Sequence, residues 1–292
     1  MAPINAAWPT VEEWLTQWPF DITFLRDDVA WSPVFTAQSF SPGRSELDEL
    51  WTTGGEVSWL GGPAILPLPE WPRRRDGRPL AHVTAVALTD VDGAALPEEK
   101  EAFPDHREGL PTSGALEVFH DLETYGYEAA DGSIGGWLVR WVPEPDRSGF
   151  AEAPADLATP TEVAQSGLFL RGWTLPSTTD FVGSERFDAA EALGEAYQRA
   201  WLFQQTRSTD GWPVPVTHVY GHSQAGRAEA LRVLAEVLPL EAGDSHRLIL
   251  DIESWTHLDQ WFGDAAPLEV WMRESDLTAR RFDRAWCMIR TG

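Results

Sequence analysis

Apolar positions along this chain fall into short runs, and few of them keep one period for long. Thr10-Val11-Glu12-Glu13 has the pattern of a capping box and predicts a short helix through Trp18, ended by Pro19. Ala30 to Phe40 carries aromatic and β-branched residues at strand spacing, and Pro33 within it predicts an edge strand. Ser41-Pro42-Gly43 reads as a turn. From Ser58 to Leu80 glycine and proline are dense enough to exclude helix, so an ordered, extended loop pinned by Trp59 and Trp71 is expected. Val83 to Leu88 reads as a buried strand and Pro97 to Pro111 as a charged loop. Ala115–Phe119 and Gly136–Trp141 alternate and predict an antiparallel pair, followed by a surface loop over Glu144–Ala158.

Helical periodicity is clearest after Phe181. Asp188 and Glu191 read as a cap, and Leu193, Ala196, Tyr197, Ala200 and Trp201 share one face. A second helix is predicted from Gln224 to Val237, with Ala228, Leu231, Leu234 and Ala235 inward and Pro239 as terminator. Arg247–Ile252, Leu268–Met272 and Arg284–Ile289 read as strands, with a helical turn at Ser275–Thr278 capped by Ser275. Strands without regular crossover helices predict an α+β fold with mainly antiparallel sheets and a few packed helices. The expected organisation is an N-terminal extension, 1–55, packed on a main domain, 56–292.

Charge narrows the function classes. The 46 acidic and 22 basic residues give a net charge of −24, a field that repels nucleic acid and anionic membranes. Either the charge serves solubility, or it forms an acidic face for a basic partner. The single cysteine, Cys287, precludes an intramolecular disulfide and suits a reducing compartment. Residues 1–14 lack the basic and apolar regions of a signal peptide, and no apolar run approaches the roughly 20 residues that span a bilayer. A cytoplasmic location is expected.

Val219-Tyr220-Gly221-His222-Ser223-Gln224-Ala225 resembles the G-x-S-x-A form of a nucleophile elbow, which makes Ser223 a weak catalytic candidate. Pro213 and Pro215 argue against a central parallel strand before it, and Asp251–His257 is a poor acid–histidine pair for a triad. The plainer expectation is a strand-to-helix turn that Ser223 or Gln224 helps to cap. Asp244, Asp251, Glu253, Asp259 and Asp264 match no known order of cation ligands, and no histidine spacing suggests zinc. No cofactor or metal is expected. In the basic run Arg73-Arg74-Arg75, Arg74 is the candidate for an anionic contact, against a solvated loop tip.

Three stretches resemble the YwqG-like family of bacterial proteins of unknown function. They are Ser58-Trp59-Leu60-Gly61-Gly62-Pro63 with Trp71-Pro72, then Leu110-Pro111 with Gly114 to Phe119, and finally Leu248-Ile249-Leu250-Asp251 with Trp261-Phe262-Gly263-Asp264. The sequence departs from the family pattern at Ala85, Leu250 and Ser223. The resemblance implies a mixed α+β fold and brings no activity or cofactor. Trp59, Trp71, Arg74, Asp251, Trp261 and Asp264 are the candidate binding residues. A non-catalytic acidic protein that binds a basic partner, immunity- or antitoxin-like, is the leading expectation. The alternatives are a small-molecule or glycan binder using the Trp59–Trp71 loop and a serine hydrolase through Ser223.

Overall fold

The structure is a computed structural model and describes residues 10–16, 18, 20–37, 43–103, 109–183, 185–206, 217–253 and 266–291, with backbone only at 98 and 199–206. In chain order the strands are β1 (Ala30–Trp31), β2 (Val34–Ala37), β3 (Ser58–Gly61), β4 (Ile65–Leu66), β5 (Ala81–Ala87), β6 (Ala115–His120), β7 (Trp137–Val142), β8 (Asp146–Phe150), β9 (Ala164–Leu170), β10 (Trp173–Thr174), β11 (His218–Val219), β12 (His246–Ile252), β13 (Leu268–Arg273) and β14 (Trp286–Ile289). The helices are α1 (Val11–Leu15), α2 (Arg44–Thr52), α3 (Leu88–Gly93), α4 (Pro97–Ala102), α5 (Asp131–Ile134), α6 (Phe187–Thr206), α7 (Arg227–Val237) and α8 (Glu274–Thr278). Ten strands form one sheet in the order β14-β13-β12-β11-β2-β9-β3-β5-β6-β7, and every described pairing in it is antiparallel. This is the expected α+β class. No helix among the described residues is long and apolar enough to cross a membrane.

The sheet rolls upon itself. Val83, Leu116, Val118 and Val139 from one end share a single core with Ile249, Val270, Met272 and Cys287 from the other. Burying side chains of this size contributes about 1.5–3 kcal/mol each relative to exposure. At the seam, Trp137 of β7 meets Trp286 of β14 edge-on (centroids 4.9 Å), and Trp137 Nε1 donates to Ala285 O at 3.1 Å. Outside the roll, α7 covers β12–β14 through Leu234, Leu248 and Trp271. Helix α1, the 3-10 turn Thr23–Asp28 and α6 form a separate layer around Trp14, Ile22, Leu25 and Leu193.

Several expected elements shift, each for a local reason. Helix α1 is capped by Thr10, whose Oγ1 accepts from Glu13 N at 3.1 Å, but it stops at Leu15, well short of Trp18. Pro33 does not mark an edge: it lies in the break between β1 and β2, its carbonyl accepts from Val219 N at 2.9 Å, and β2 is internal. Part of the expected charged loop is helix α4, started by Pro97 at its first position, where no amide donor is lost, and closed by Glu99 Oε2 accepting from Leu96 N at 2.8 Å. Part of the expected surface loop is β8, paired with β4 and held by Arg147 over the Trp51 ring at 4.7 Å. Helix α6 begins at Phe187, so Asp188 sits in its first turn rather than capping it. Helix α7 begins at Arg227, after Gly226 at φ +100°, which turns Ala230, Val233, Leu234 and Val237 inward and leaves Ala228 and Ala235 exposed. Helix α8 begins at Glu274, after Arg273, so Ser275 is not its cap. Residues 282–284 form a 3-10 turn before β14.

Candidate functional site

Four segments far apart in sequence bring polar groups together under the start of α7. Asp251 of β12 and Glu269 of β13 are direct cross-strand partners, both fully buried. Two carboxylates side by side away from water need a counter-charge, which Arg290, immediately after β14, supplies: its Nη1 donates to Glu269 Oε2 at 2.8 Å. The same Glu269 oxygen accepts from Trp271 Nε1 at 2.8 Å, and Ser223 Oγ donates to the other. Arg290 Nη2 reaches Gly226 O (3.2 Å) and Glu229 Oε2 (3.3 Å), which ties the α7 start to the sheet.

Asp251 is held differently. Gln224 N donates to its Oδ2 at 2.9 Å and Gln224 Nε2 to its Oδ1 at 3.2 Å. His218 Nδ1 donates to Tyr220 O at 2.7 Å, so the neutral ring turns its Nε2 lone pair toward Asp251 Oδ2, 3.6 Å away. Burial, and then Glu269, push the Asp251 carboxyl well above the usual range, while burial lowers His218 to about 4. Between these limits the pair holds its proton on the carboxyl. A raised carboxyl favours the fold fully below the unfolded value near 3.9 and loses that contribution as pH rises through the folded value. The Asp251→Asn variant removes the group that titrates, at the cost of one Gln224 bond. Its melting temperature is expected to fall less than that of wild type between pH 5 and pH 9. Parallel curves would remove Asp251 from the pH response.

This environment overturns the hydrolase expectation. Strand β11 is antiparallel to both neighbours, whereas an elbow follows a parallel strand. The left-handed positions are Tyr220 (φ +56°) and Gly221 (φ +77°), not Ser223. Ser223 is 1% exposed and its hydroxyl is engaged by a carboxylate, so no substrate reaches it. The expectation that Ser223 or Gln224 caps the turn is replaced by bonds to the sheet.

The remaining predicted residues separate. Trp59 is 1% exposed and Trp71 7%, so the two rings form no open platform. They fasten the loop: Trp59 Nε1 donates to Pro63 O at 3.0 Å and Trp71 Nε1 to Leu80 O at 2.8 Å. A cavity of about 60 Å³ beside Trp51 and Trp59 holds water-sized guests, well below the roughly 300 Å³ at which small-molecule sites begin. Arg74 is not a solvated tip; its Nη1 donates to Asp121 Oδ2 at 2.7 Å. Asp244 accepts from Ser245 N (2.8 Å) and from the Ser275 backbone and hydroxyl. Glu253, lifted to about 7 by burial, follows β12. Trp261 and Asp264, with His257 and Asp259, lie outside the described residues. Among the described residues no three His, Cys, Asp or Glu side chains group to hold a metal.

Sequence reasoning found Asp251 and missed Glu269 and Arg290. The available signal was a lone charge in an otherwise apolar strand: Glu269 within Leu268–Met272, and Arg290 after Trp286–Ile289. The same signal marks Glu117 and Arg140, cross-strand partners in β6 and β7. Arg140 Nε donates to Glu117 Oε2 at 2.7 Å, and Ile65 N donates to Glu117 Oε1 at 2.7 Å. In both buried centres the carboxylates are held by the protein's own groups, and their geometry locks chain segments together.

No curated protein matches the chain. Residues 58–290, from β3 to the arginine that neutralises Glu269, match DUF1963, a domain of unknown function, and the chain belongs to that family.

Proposed function

We propose that this protein is a non-catalytic, cytoplasmic binding protein, a YwqG-like member of its family, whose acidic surface takes a basic partner in the manner of an immunity or antitoxin-like protein. The observation that carries this reading is the net charge of −24 together with a run of exposed acidic residues on one layer of the fold. In the α1–α6 layer, Glu12, Asp21, Asp27, Asp188, Glu191 and Glu195 are all exposed. The arginines beside them are already paired, Arg26 with Glu12 at 2.8 Å and Arg186 with Asp28 at 2.7 Å. Exposed Val182 (74%) and Phe187 (62%) interrupt the acidic residues and offer apolar anchors. A field of one sign steers an oppositely charged partner and raises its association rate.

The test is affinity capture from the native host at low and high salt, with wild type and Glu191→Lys/Glu195→Lys side by side. A stoichiometric basic protein is expected on wild type at low salt. Its association rate should fall about tenfold or more in the reversed variant and with added salt, with a smaller change in dissociation. Equal retention on both proteins, or no basic protein on either, would overturn the reading.

A further inference from the structure

The cleft beside Trp51 and Trp59 is too small for a whole drug-sized molecule, and its walls and mouth differ in kind. Trp51, Val57, Trp59, Ala85, Ala87 and Ala115 line it with apolar surface, and the polar residues lining it are Glu56, Thr89 and Arg147. Its volume of about 60 Å³ takes a chain of about four water-sized atoms, at roughly 15 Å³ for each. Glu56 is exposed, and its two oxygens are unequally engaged. Oε2 accepts from Thr89 Oγ1 at 2.6 Å, while Oε1 has Arg147 Nη2 at 3.6 Å, beyond hydrogen-bond distance. Arg147 is committed elsewhere: its Nη1 donates to Gly55 O at 2.6 Å and its guanidinium lies over the Trp51 ring at 4.7 Å. Asp90, next to Thr89, adds a second carboxyl, whose Oδ2 accepts from Phe169 N at 3.3 Å. Burial, and after it the negative charge of Glu56, raise that carboxyl to about 6. The mouth of the cleft therefore has more acidic than basic groups, above an apolar floor.

We propose that this cleft anchors a lysine side chain of the basic partner, with the methylenes against Trp51 and the alanines and the ammonium on Glu56. Long cationic side chains bury their stems on apolar surface and keep the charge at the rim. Beyond Cβ a lysine has Cγ, Cδ, Cε and Nζ, the length that the volume admits, whereas the planar guanidinium of arginine needs more room. This anchor rests on the reading of a basic partner and gives that partner a second contact away from the α1–α6 layer: Trp51 and Trp59 belong to a separate packed cluster with Leu47, Ile65 and Ala164.

The experiment titrates the full chain with ethylammonium, n-butylammonium and N-acetyl-lysine amide at constant ionic strength. The indole N–H signals of Trp51 and Trp59 are followed by NMR and assigned through Trp51→Phe and Trp59→Phe. Both signals are expected to shift saturably with n-butylammonium. It should bind about tenfold tighter than ethylammonium, since each further buried methylene is worth about fourfold. N-acetyl-lysine amide should move the same two signals, and N-acetyl-arginine amide should bind more weakly. Glu56→Gln, a change at an exposed position, should weaken n-butylammonium about fivefold. Ala87→Val, which fills the cleft, should remove the response. No saturable shift with n-butylammonium, equal affinity in wild type and Glu56→Gln, or a response to n-butylammonium without one to N-acetyl-lysine amide would each overturn the proposal. The probes need no protein partner, so loss of the anchor and loss of the acidic-surface reading are separate results.

Discussion

The Arg290→Met variant is expected to lose about 3–5 kcal/mol of stability, on the order of a 10 °C fall in melting temperature. Methionine fills most of the arginine stem, so little cavity is made. What is lost is the guanidinium that pairs with Glu269, in a place where Asp251 already lies opposite on the neighbouring strand. The bonds to Gly226 and Glu229 go with it, so the start of α7 loosens from the sheet. Urea unfolding measures the loss. Adding Glu269→Gln should recover part of the stability, because removing both charges of a buried pair costs far less than removing one. A double variant weaker than Arg290→Met would show that the arginine acts through its packing.

Trp59→Ala is expected to cost about 3–5 kcal/mol, as large-to-small changes of buried aromatics do. The ring is edge-on to Trp51 (5.2 Å) and Phe150 (5.8 Å), and it joins β3 to α2 and β8. Trp59→Phe keeps most of that packing and leaves Pro63 O without its donor, so about 1–3 kcal/mol is expected. Chemical denaturation of both variants checks the order. Equal, small losses would mean that Trp59 is not the fastener of the Gly- and Pro-rich loop and would reopen a surface role for it.

The elements legible in the sequence are those whose pattern and surroundings agree. Strands β5, β6 and β7 carry β-branched and aromatic residues and are buried between like neighbours, so local pattern and final position coincide. Strand β8, Asp146-Arg147-Ser148-Gly149-Phe150, reads as loop because its pairing with β4 rests on Arg147 and Phe150 meeting Trp51, a contact about a hundred residues away in sequence. The inward face of α7 was misread because Gly226 delays the helix to Arg227, and a shift of the first turn changes which residues follow the sheet. The Asp251 centre was half legible. Asp251 stands in a family-like strand, but its neighbours come from residues 223, 269 and 290, and only the order of the strands in the sheet brings those together. Ser223 shows the opposite case: a short motif resembles a catalytic turn, while the antiparallel strand before it and the carboxylate above it fix the serine as internal.

The meeting of Trp137 with Trp286 has a consequence for how the molecule behaves among its own copies. An open ten-stranded sheet would offer two rows of unpaired amides and carbonyls, each a template for another chain. Here the outer side of β14 is occupied, since Ile289 N donates to Tyr125 O at 3.1 Å and Trp286 Nε1 to Gly126 O at 2.8 Å. On β7, at the other end of the sheet, Trp141 packs against Phe282 of the 3-10 turn 282–284. Recruitment by strand addition is thereby obstructed at the β14 end. Self-templating at that edge is opposed by shape as well as by like-charge repulsion.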